Sequence, residues 1–391
     1  MLQKAYTPIQ LRGLELKNRF IKTATYEGMC DHGVPTPQLI DFHARNAEGG
    51  IALTTVAYGA VNPDGRTHED QMYLHEGIAQ PLKDLTVAVH KAGGKASIQL
   101  THCGFFSSNK NLSSYKPLGP SRVLNAYGIM SGNAFSRAMT IEEIHETAND
   151  FAIAAVFSRN VGFDAVEIHM GHGYLLSQFL SSGVNKRKDE YGGSLENRMR
   201  LPLEVVAETR RAIGEDFPII VKMNLSDGYK GGLSIDDAVE VAKALEKAGV
   251  DALVLSGGYT SKTPFYLMRG EIPIWDMTKV EKNFLQKIAI FSFGRFIIRK
   301  FDFEENFFLP LARRIREAVK MPLIYIGGVI SKPGIDEVMN ENFEMIALGR
   351  ALIHDPDFIL NIQNGSVEKS ECNQCNICVA EMDRGGVRCV L

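Results

Sequence analysis

Residues 218–256 read PIIVKMNLSDGYKGGLSIDDAVEVAKALEKAGVDALVLS. Two short apolar runs, PIIVKM and DALVLS, bracket a stretch whose apolar residues recur every three to four positions and which closes on Gly249. Short, uniformly apolar runs rich in β-branched residues read as strands buried on both faces. The stretch between them reads as an amphipathic helix stopped by a glycine able to take the left-handed cap position. A strand, a helix and a strand in this order predict a parallel sheet.

The unit repeats along the chain. Strands are expected at 19–24 (RFIKTA), 51–56 (IALTTV), 95–100 (KASIQL), 164–169 (DAVEIH), 218–223, 251–256, 322–327 (PLIYIG) and 344–349 (EMIALG). Helices are expected over 36–50, 141–162, 196–214 and 234–249, where capping residues and glycines frame periodic apolar positions. Connections from helix to strand are short. The long ones, 101–140, 170–195 and 257–303, all follow strands. Eight βα units with insertions on one side only predict a (β/α)8 TIM barrel with its active site at the C-terminal ends of the strands. An open doubly wound sheet is the rival. No Gly-x-Gly-x-x-Gly turn follows the first strand to support it.

The 391 residues are 45% hydrophobic and 23% charged, with a formal net charge of −3. That balance argues against a nucleic-acid partner. The first residues lack the basic-then-apolar pattern of a secretory signal, and no apolar run reaches the length of a transmembrane segment. A cytoplasmic enzyme acting on a small molecule is expected, with a homo-oligomer allowed. Residues 1–365 are expected to form the barrel and 366–391 a Cys-rich tail.

Three proton-bearing groups, His169, His172 and Tyr174, leave the fourth strand end together. Two neutral imidazoles donating to one oxygen, with a phenol beside them, suit polarisation of a carbonyl and protonation of a neighbouring carbon. A packed His pair and metal ligation are the competing readings; the latter needs a third ligand. Lys222 is a lone cation within an apolar run, and its burial calls for an anion. The glycine turns at Gly327–Gly328 and Gly349 expose backbone N–H groups where barrels commonly hold phosphate.

The stretch 167–198 (EIHMGHGYLLSQFLSSGVNKRKDEYGGSLENR) resembles the signature of Old Yellow Enzyme-type NADH:flavin oxidoreductases. LELKNRFIKTATYEG (14–28), AVNPDGR (60–66), SIQLTHCG (97–104), YIGGV (325–329) and ALGRAL (347–352) continue the resemblance in order. It implies FMN at the barrel mouth. Thr23, Ala24, Thr25 and Tyr26 would line the flavin ring, Gln99 its pyrimidine edge, and Lys222 its N1 and O2. Gly349 and Arg350, helped by Gly327 and Gly328, would hold the phosphate. NADH or NADPH would reduce the flavin. The hydride would pass to an activated alkene held by His169 and His172 and protonated by Tyr174. Tyr26, Phe105 and the pair Ala57 and Tyr58 depart from the family pattern, which leaves the substrate open.

Four of the six cysteines crowd the tail: Cys372, Cys375, Cys378 and Cys389. Their spacing points to a metal centre, either iron–sulfur or zinc. Longer relatives of dienoyl-CoA reductase and trimethylamine dehydrogenase type carry a similar motif around a 4Fe-4S cluster. An amine or alkyl dehydrogenase passing electrons through such a cluster to a partner is the second function class. A metal-dependent barrel hydrolase using His169 and His172 is the third. The 257–303 insertion, with Trp275 and the apolar-basic run 291–299, reads as a lid, a membrane-surface patch or a helix packed on the barrel flank.

Overall fold

The computed structural model describes residues 2–281 and 283–391. All eight expected strands form: β1 Phe20–Lys22, β2 Leu53–Ala60, β3 Lys95–Thr101, β4 Ala165–Met170, β5 Ile219–Asn224, β6 Ala252–Ser256, β7 Leu323–Tyr325 and β8 Met345–Leu348. They pair in parallel and in sequence order, and β8 returns to β1 through Ile346↔Phe20 and Leu348↔Lys22, closing a barrel.

Helices α1 Pro37–Glu48, α2 Ala79–Lys91, α3 Ile141–Asn160, α4 Leu195–Ile213, α5 Ile235–Lys247, α6 Leu309–Ala318, α7 Lys332–Asn340 and α8 Arg350–His354 follow the strands in turn. Their starts are built locally. Thr140 and Glu143 form a reciprocal capping box on α3, and the Ser194 and Ser234 hydroxyls accept N–H groups of α4 and α5. Each such cap contributes about 1 kcal/mol.

Alternation along the strands separates two apolar layers. Val166, Ile168, Ile219, Val221, Leu253 and Leu255 face the helices. Ala165, Ile220, Ala252, Ile324 and Met345 face inward at the N-terminal end. A hairpin of Ile9–Leu11 and Leu14–Leu16 presses Leu11, Leu14 and Leu16 against that inward set and closes the bottom of the barrel. Burying one such side chain fully is worth about 1.5–3 kcal/mol. The bottom is therefore dry and packed, and polar residues collect at the top.

The 257–303 insertion holds two helices, Ile274–Val280 and Phe284–Ile297. The tail carries the short helix Ile377–Glu381 and runs along the same face. Asn376 Nδ2 donates to Met268 O at 2.7 Å, and the Val387 N–H donates to Glu27 O at 2.7 Å. Among the described residues no helix is long and apolar enough to cross a membrane.

Candidate active site

Period two decides which strand residues reach the barrel interior. On β5, Ile220 points in at the bottom, so Lys222 points in one layer higher. On β4, Glu167 and His169 share the inward phase of Ala165, and on β3 Gln99 and Thr101 share that of Ser97. The register sets Glu167 beside Gln99 and His169 beside Lys222. A polar layer results. Lys222 Nζ lies 2.9 Å from Glu167 Oε1 and donates to Thr23 Oγ1 at 3.0 Å. Gln99 Nε2 donates to the same carboxylate oxygen at 2.6 Å. Lys222 and Glu167 are almost wholly buried. The anion that the Lys222 run called for is thus Glu167 within the chain.

Above this layer lies a cavity of about 500 Å³, the size of a small-molecule or cofactor site. Thr23, Ala24, Thr25, Tyr26, Gln99, His169, His172, Tyr174, Lys222, Gly327, Gly328, Gly349 and Arg350 all border it. The structure therefore brings together every non-cysteine residue given a catalytic or cofactor-binding role from the sequence. A Cβ at Gly349 would lie 3.5 Å from the Thr23 methyl and 3.8 Å from the Thr25 methyl, so glycine there keeps space open against the lining.

The three catalytic candidates meet, in an arrangement that differs from two free donors. His169 Nε2 lies 2.9 Å from His172 Nδ1, and His172 Nε2 lies 2.7 Å from Ser256 Oγ. The imidazoles are linked in a chain from Thr101 to Ser256, with the Thr101 contact at 3.4 Å. His172 sits at a left-handed φ of 57°. Asn224 Oδ1 accepts its N–H, and Thr260 donates to its carbonyl, so the first residues of the 257–303 insertion lock that conformation. Tyr174 Oη lies 2.8 Å from Tyr58 Oη, and its ring centre lies 4.6 Å from that of His169.

Burial keeps these groups neutral. It holds Tyr174 well above the ordinary phenol range, and Tyr58 reinforces the effect. It pushes His172 down to about 3 and His102 down to about 4, and lowers His169 strongly; Lys222 adds to the effect at both site histidines. In the unfolded chain each imidazole takes up a proton near its ordinary value of about 6.5. The folded state binds fewer protons below that pH, so stability falls as the medium is acidified. His43 and His75, lowered by burial as well, act in the same direction, and the carboxyls of Asp227 (raised to about 6), Asp150 and Glu204, raised by burial, oppose it. The urea midpoint is expected to drop between pH 7 and pH 5. Each histidine contributes at most about 1.4 kcal/mol per pH unit. A flat midpoint across that window would show that these rings are charged inside the protein.

Two expectations meet a different geometry. Arg350 Nη1 donates to Asn376 Oδ1 at 2.7 Å and to Arg269 O at 2.8 Å, so the guanidinium is directed at the tail. The expected thiolate metal centre finds no support in the side-chain positions. Among the described residues no group of three or more His, Cys, Asp or Glu converges closely enough to hold a metal ion. Cys372, Cys375, Cys378 and Cys389 are free thiols. Burial raises Cys378 to about 11 and raises Cys372 as well, and neutral thiols have no electrostatic reason to converge. The same lack of a third ligand removes the basis for a metal hydrolase on His169 and His172.

Sequence reading passed over three members of the site. Thr101, Asn224 and Ser256 lie in the same inward phase as Gln99, Lys222 and His169, and extending the alternation to the strand ends would have found them. The family resemblance sets Ala57 and Tyr58 at the second-strand flavin contact and leaves their register open. The pairing of β2 with β3 slips between Val56 and Gly59, and a slip cancels any count by twos.

Residues 4–263 match the model of the NADH:flavin oxidoreductase / NADH oxidase family. The chain is 39% identical over 392 residues to the 4,4'-dithiodibutanoate disulfide reductase of Rhodococcus erythropolis, covering 99% of this chain and 94% of that protein. It is 30% identical over 374 residues to an NADH oxidase of Thermoanaerobacter brockii, covering 94% of this chain and only 52% of that protein. The chain thus spans nearly all of one relative and about half of the other. The fold is that of an old yellow enzyme homologue from Zymomonas mobilis, with a TM-score of 0.73 at 22% identity over 95% of this chain and 96% of the other. With the barrel, the mouth cavity and the matched family model in agreement, this chain belongs to the NADH:flavin oxidoreductase / NADH oxidase family of FMN-dependent oxidoreductases.

Proposed function

We propose that this chain uses NADH or NADPH to reduce an activated C=C bond. The observation that carries the reading is the Tyr58–Tyr174 hydroxyl pair beside neutral His169 and His172, at the wall of a mostly apolar cavity. FMN, when bound, accepts a hydride from the nicotinamide and gives it on to the substrate.

The lining suits that cofactor. Thr23, Ala24, Thr25 and Tyr26 would flank the ring, and Gln99 and Lys222 would meet its polar edge. Lys222 is suited to an anionic ring because its partner Glu167 is shared with Gln99. Gly327, Gly328 and Gly349 would admit the phosphate end. With Arg350 Nη1 engaged by the tail, its remaining donors and the turn's N–H groups would meet the phosphate.

A neutral imidazole donates one N–H without bringing a positive charge into the cavity. A substrate oxygen would replace one contact of the His169–His172–Ser256 chain. Tyr174, kept protonated by burial, would give its proton to the α-carbon, with Tyr58 sharing the resulting charge. Stopped-flow mixing of the NADH- or NADPH-reduced protein with enones and enoates tests the reading.

A disulfide substrate is the second reading, favoured by the likeness to the Rhodococcus disulfide reductase. Hydride arriving at one sulfur breaks the S–S bond and releases a thiol and a thiolate, which Tyr174 would protonate. Rapid reoxidation by alkenes and none by disulfides supports the first reading, and the converse supports the second. A protein reduced by NAD(P)H and reoxidised by neither refutes both.

For the tail we propose a 4Fe-4S cluster on Cys372, Cys375, Cys378 and Cys389, able to hand electrons to a partner. Its support is the spacing of the four cysteines in the chain. A cubane holds its thiolates farther apart than a single zinc ion, whose sulfurs stand about 2.3 Å from one centre. Four irons with matching sulfide are expected after anaerobic purification, and Cys375→Ser should lose them. One zinc and no iron would replace the cluster with a structural site; neither metal would end the proposal.

A further inference from the structure

We propose that the helical insertion at 274–300 is a membrane-surface anchor that seats the barrel mouth on an anionic lipid bilayer. The helix Phe284–Ile297 packs on the preceding helix Ile274–Val280: an added Cβ at Gly294 would come within 2.8 Å of Ile274, and the Trp275 and Phe291 ring centres stand 6.1 Å apart. Around the rest of its circumference, large apolar side chains face outward: Phe296 is 88% exposed, Ile297 74% and Phe284 72%. Leu285, Ile288, Phe291 and Phe293 follow, and Trp275 on the neighbouring helix is also exposed. The packed-flank reading would bury these residues, and it is excluded.

A folded protein does not usually leave such a patch in water without an occupant. Length excludes a span. Fourteen residues make a helix of about 21 Å, short of a hydrocarbon core of about 30 Å. Charge selects among the remaining occupants. From Asn283 to Phe301 the chain carries Lys287, Arg295, Arg299 and Lys300 and no acidic residue. Lys300 is paired with Glu271 across the insertion, which leaves Lys287, Arg295 and Arg299 for an outside partner. A two-fold dimer through this face would set the same cations against each other. Anionic headgroups would neutralise them while the aromatic side chains enter the interface.

The position of the helix gives the anchor a consequence. Met277, on the first helix of the insertion, borders the active-site cavity. Tyr127 also borders it and lies within electrostatic reach of Glu281. Tyr127 opens a second run of exposed apolar residues, Ile129, Met130 and Phe135. Residues of the insertion and of the 126–135 segment thus reach the rim of the cavity through Met277 and Tyr127, and an apolar substrate dissolved in the bilayer would enter beside them.

The test is co-sedimentation of the flavin-loaded protein with vesicles of phosphatidylcholine plus phosphatidylglycerol, and with vesicles of phosphatidylcholine alone. Binding is expected to the first and to be weak for the second. Arg295→Gln and Arg299→Gln should each weaken it roughly fivefold. Phe291→Ser combined with Phe296→Ser should abolish it while flavin content stays unchanged. Equal binding to both vesicle types, no binding, or undiminished binding by the double Phe variant overturns the proposal. A concentration-dependent dimer that Phe296→Ser dissociates, in a protein that ignores vesicles, assigns the face to a second copy and overturns it as well.

Discussion

Lys222→Met is expected to leave the protein without flavin and less stable by about 3–5 kcal/mol. Lys222 and Glu167 are buried at the floor of the cavity, 2.9 Å apart, with Gln99 and Thr23 completing their hydrogen bonds. Removing the ammonium strands the Glu167 carboxylate in the barrel, and most of the loss comes from that uncompensated charge. The double variant Lys222→Met with Glu167→Gln separates structure from cofactor binding. It removes both charges, so the urea midpoint should recover most of its value. Flavin retention should not recover, because the cation offered to the ring edge is gone. Flavin fluorescence released on heating, read beside the urea midpoint, checks both. A Lys222→Met protein that keeps its flavin would show that the ring does not lie over this layer.

Tyr174→Phe should slow reoxidation by an alkene substrate by about 10²–10⁴-fold, the usual worth of a positioned general acid. Flavin reduction by NADH or NADPH should proceed as before, because that half-reaction needs no proton from this phenol. Tyr58→Phe should have a smaller effect in the same direction, since it removes the partner at 2.8 Å and leaves the acid in place. With a disulfide substrate both losses should shrink, because a thiolate leaves without obligatory protonation. Single-turnover stopped flow separates the half-reactions. Equal loss in both would locate the damage in flavin binding and refute the acid role of Tyr174.

The barrel was legible because its signal is local. Each of the eight strand runs is short, apolar and bounded by turns, and each long loop follows a strand. The structure moved the strand boundaries by only a few residues. The family motifs were legible for a similar reason: they sit at strand ends, where backbone direction fixes what reaches the mouth. All thirteen non-cysteine site residues, twelve from those motifs and Lys222 from the PIIVKM strand, border one cavity. The 257–303 insertion was not legible to the same degree. Its helix is apolar on nearly every side, and periodicity does not say whether such a helix is packed or exposed. Exposure decided that point.

Local sequence determined the fold class, the inward phase of Gln99, His169 and Lys222, and the gathering of chemistry at one end of the barrel. Periods of two and 3.6 are properties of the backbone and need no distant partner. Tertiary structure alone decided how those groups engage. His172 meets Ser256 across 84 positions, Tyr58 meets Tyr174 across 116, and Arg350 turns to Asn376 on the tail. Such pairings are fixed by barrel closure, by the slip in β2 and by where the insertions fold back. They depend on distances through space between segments whose local patterns carry no record of one another.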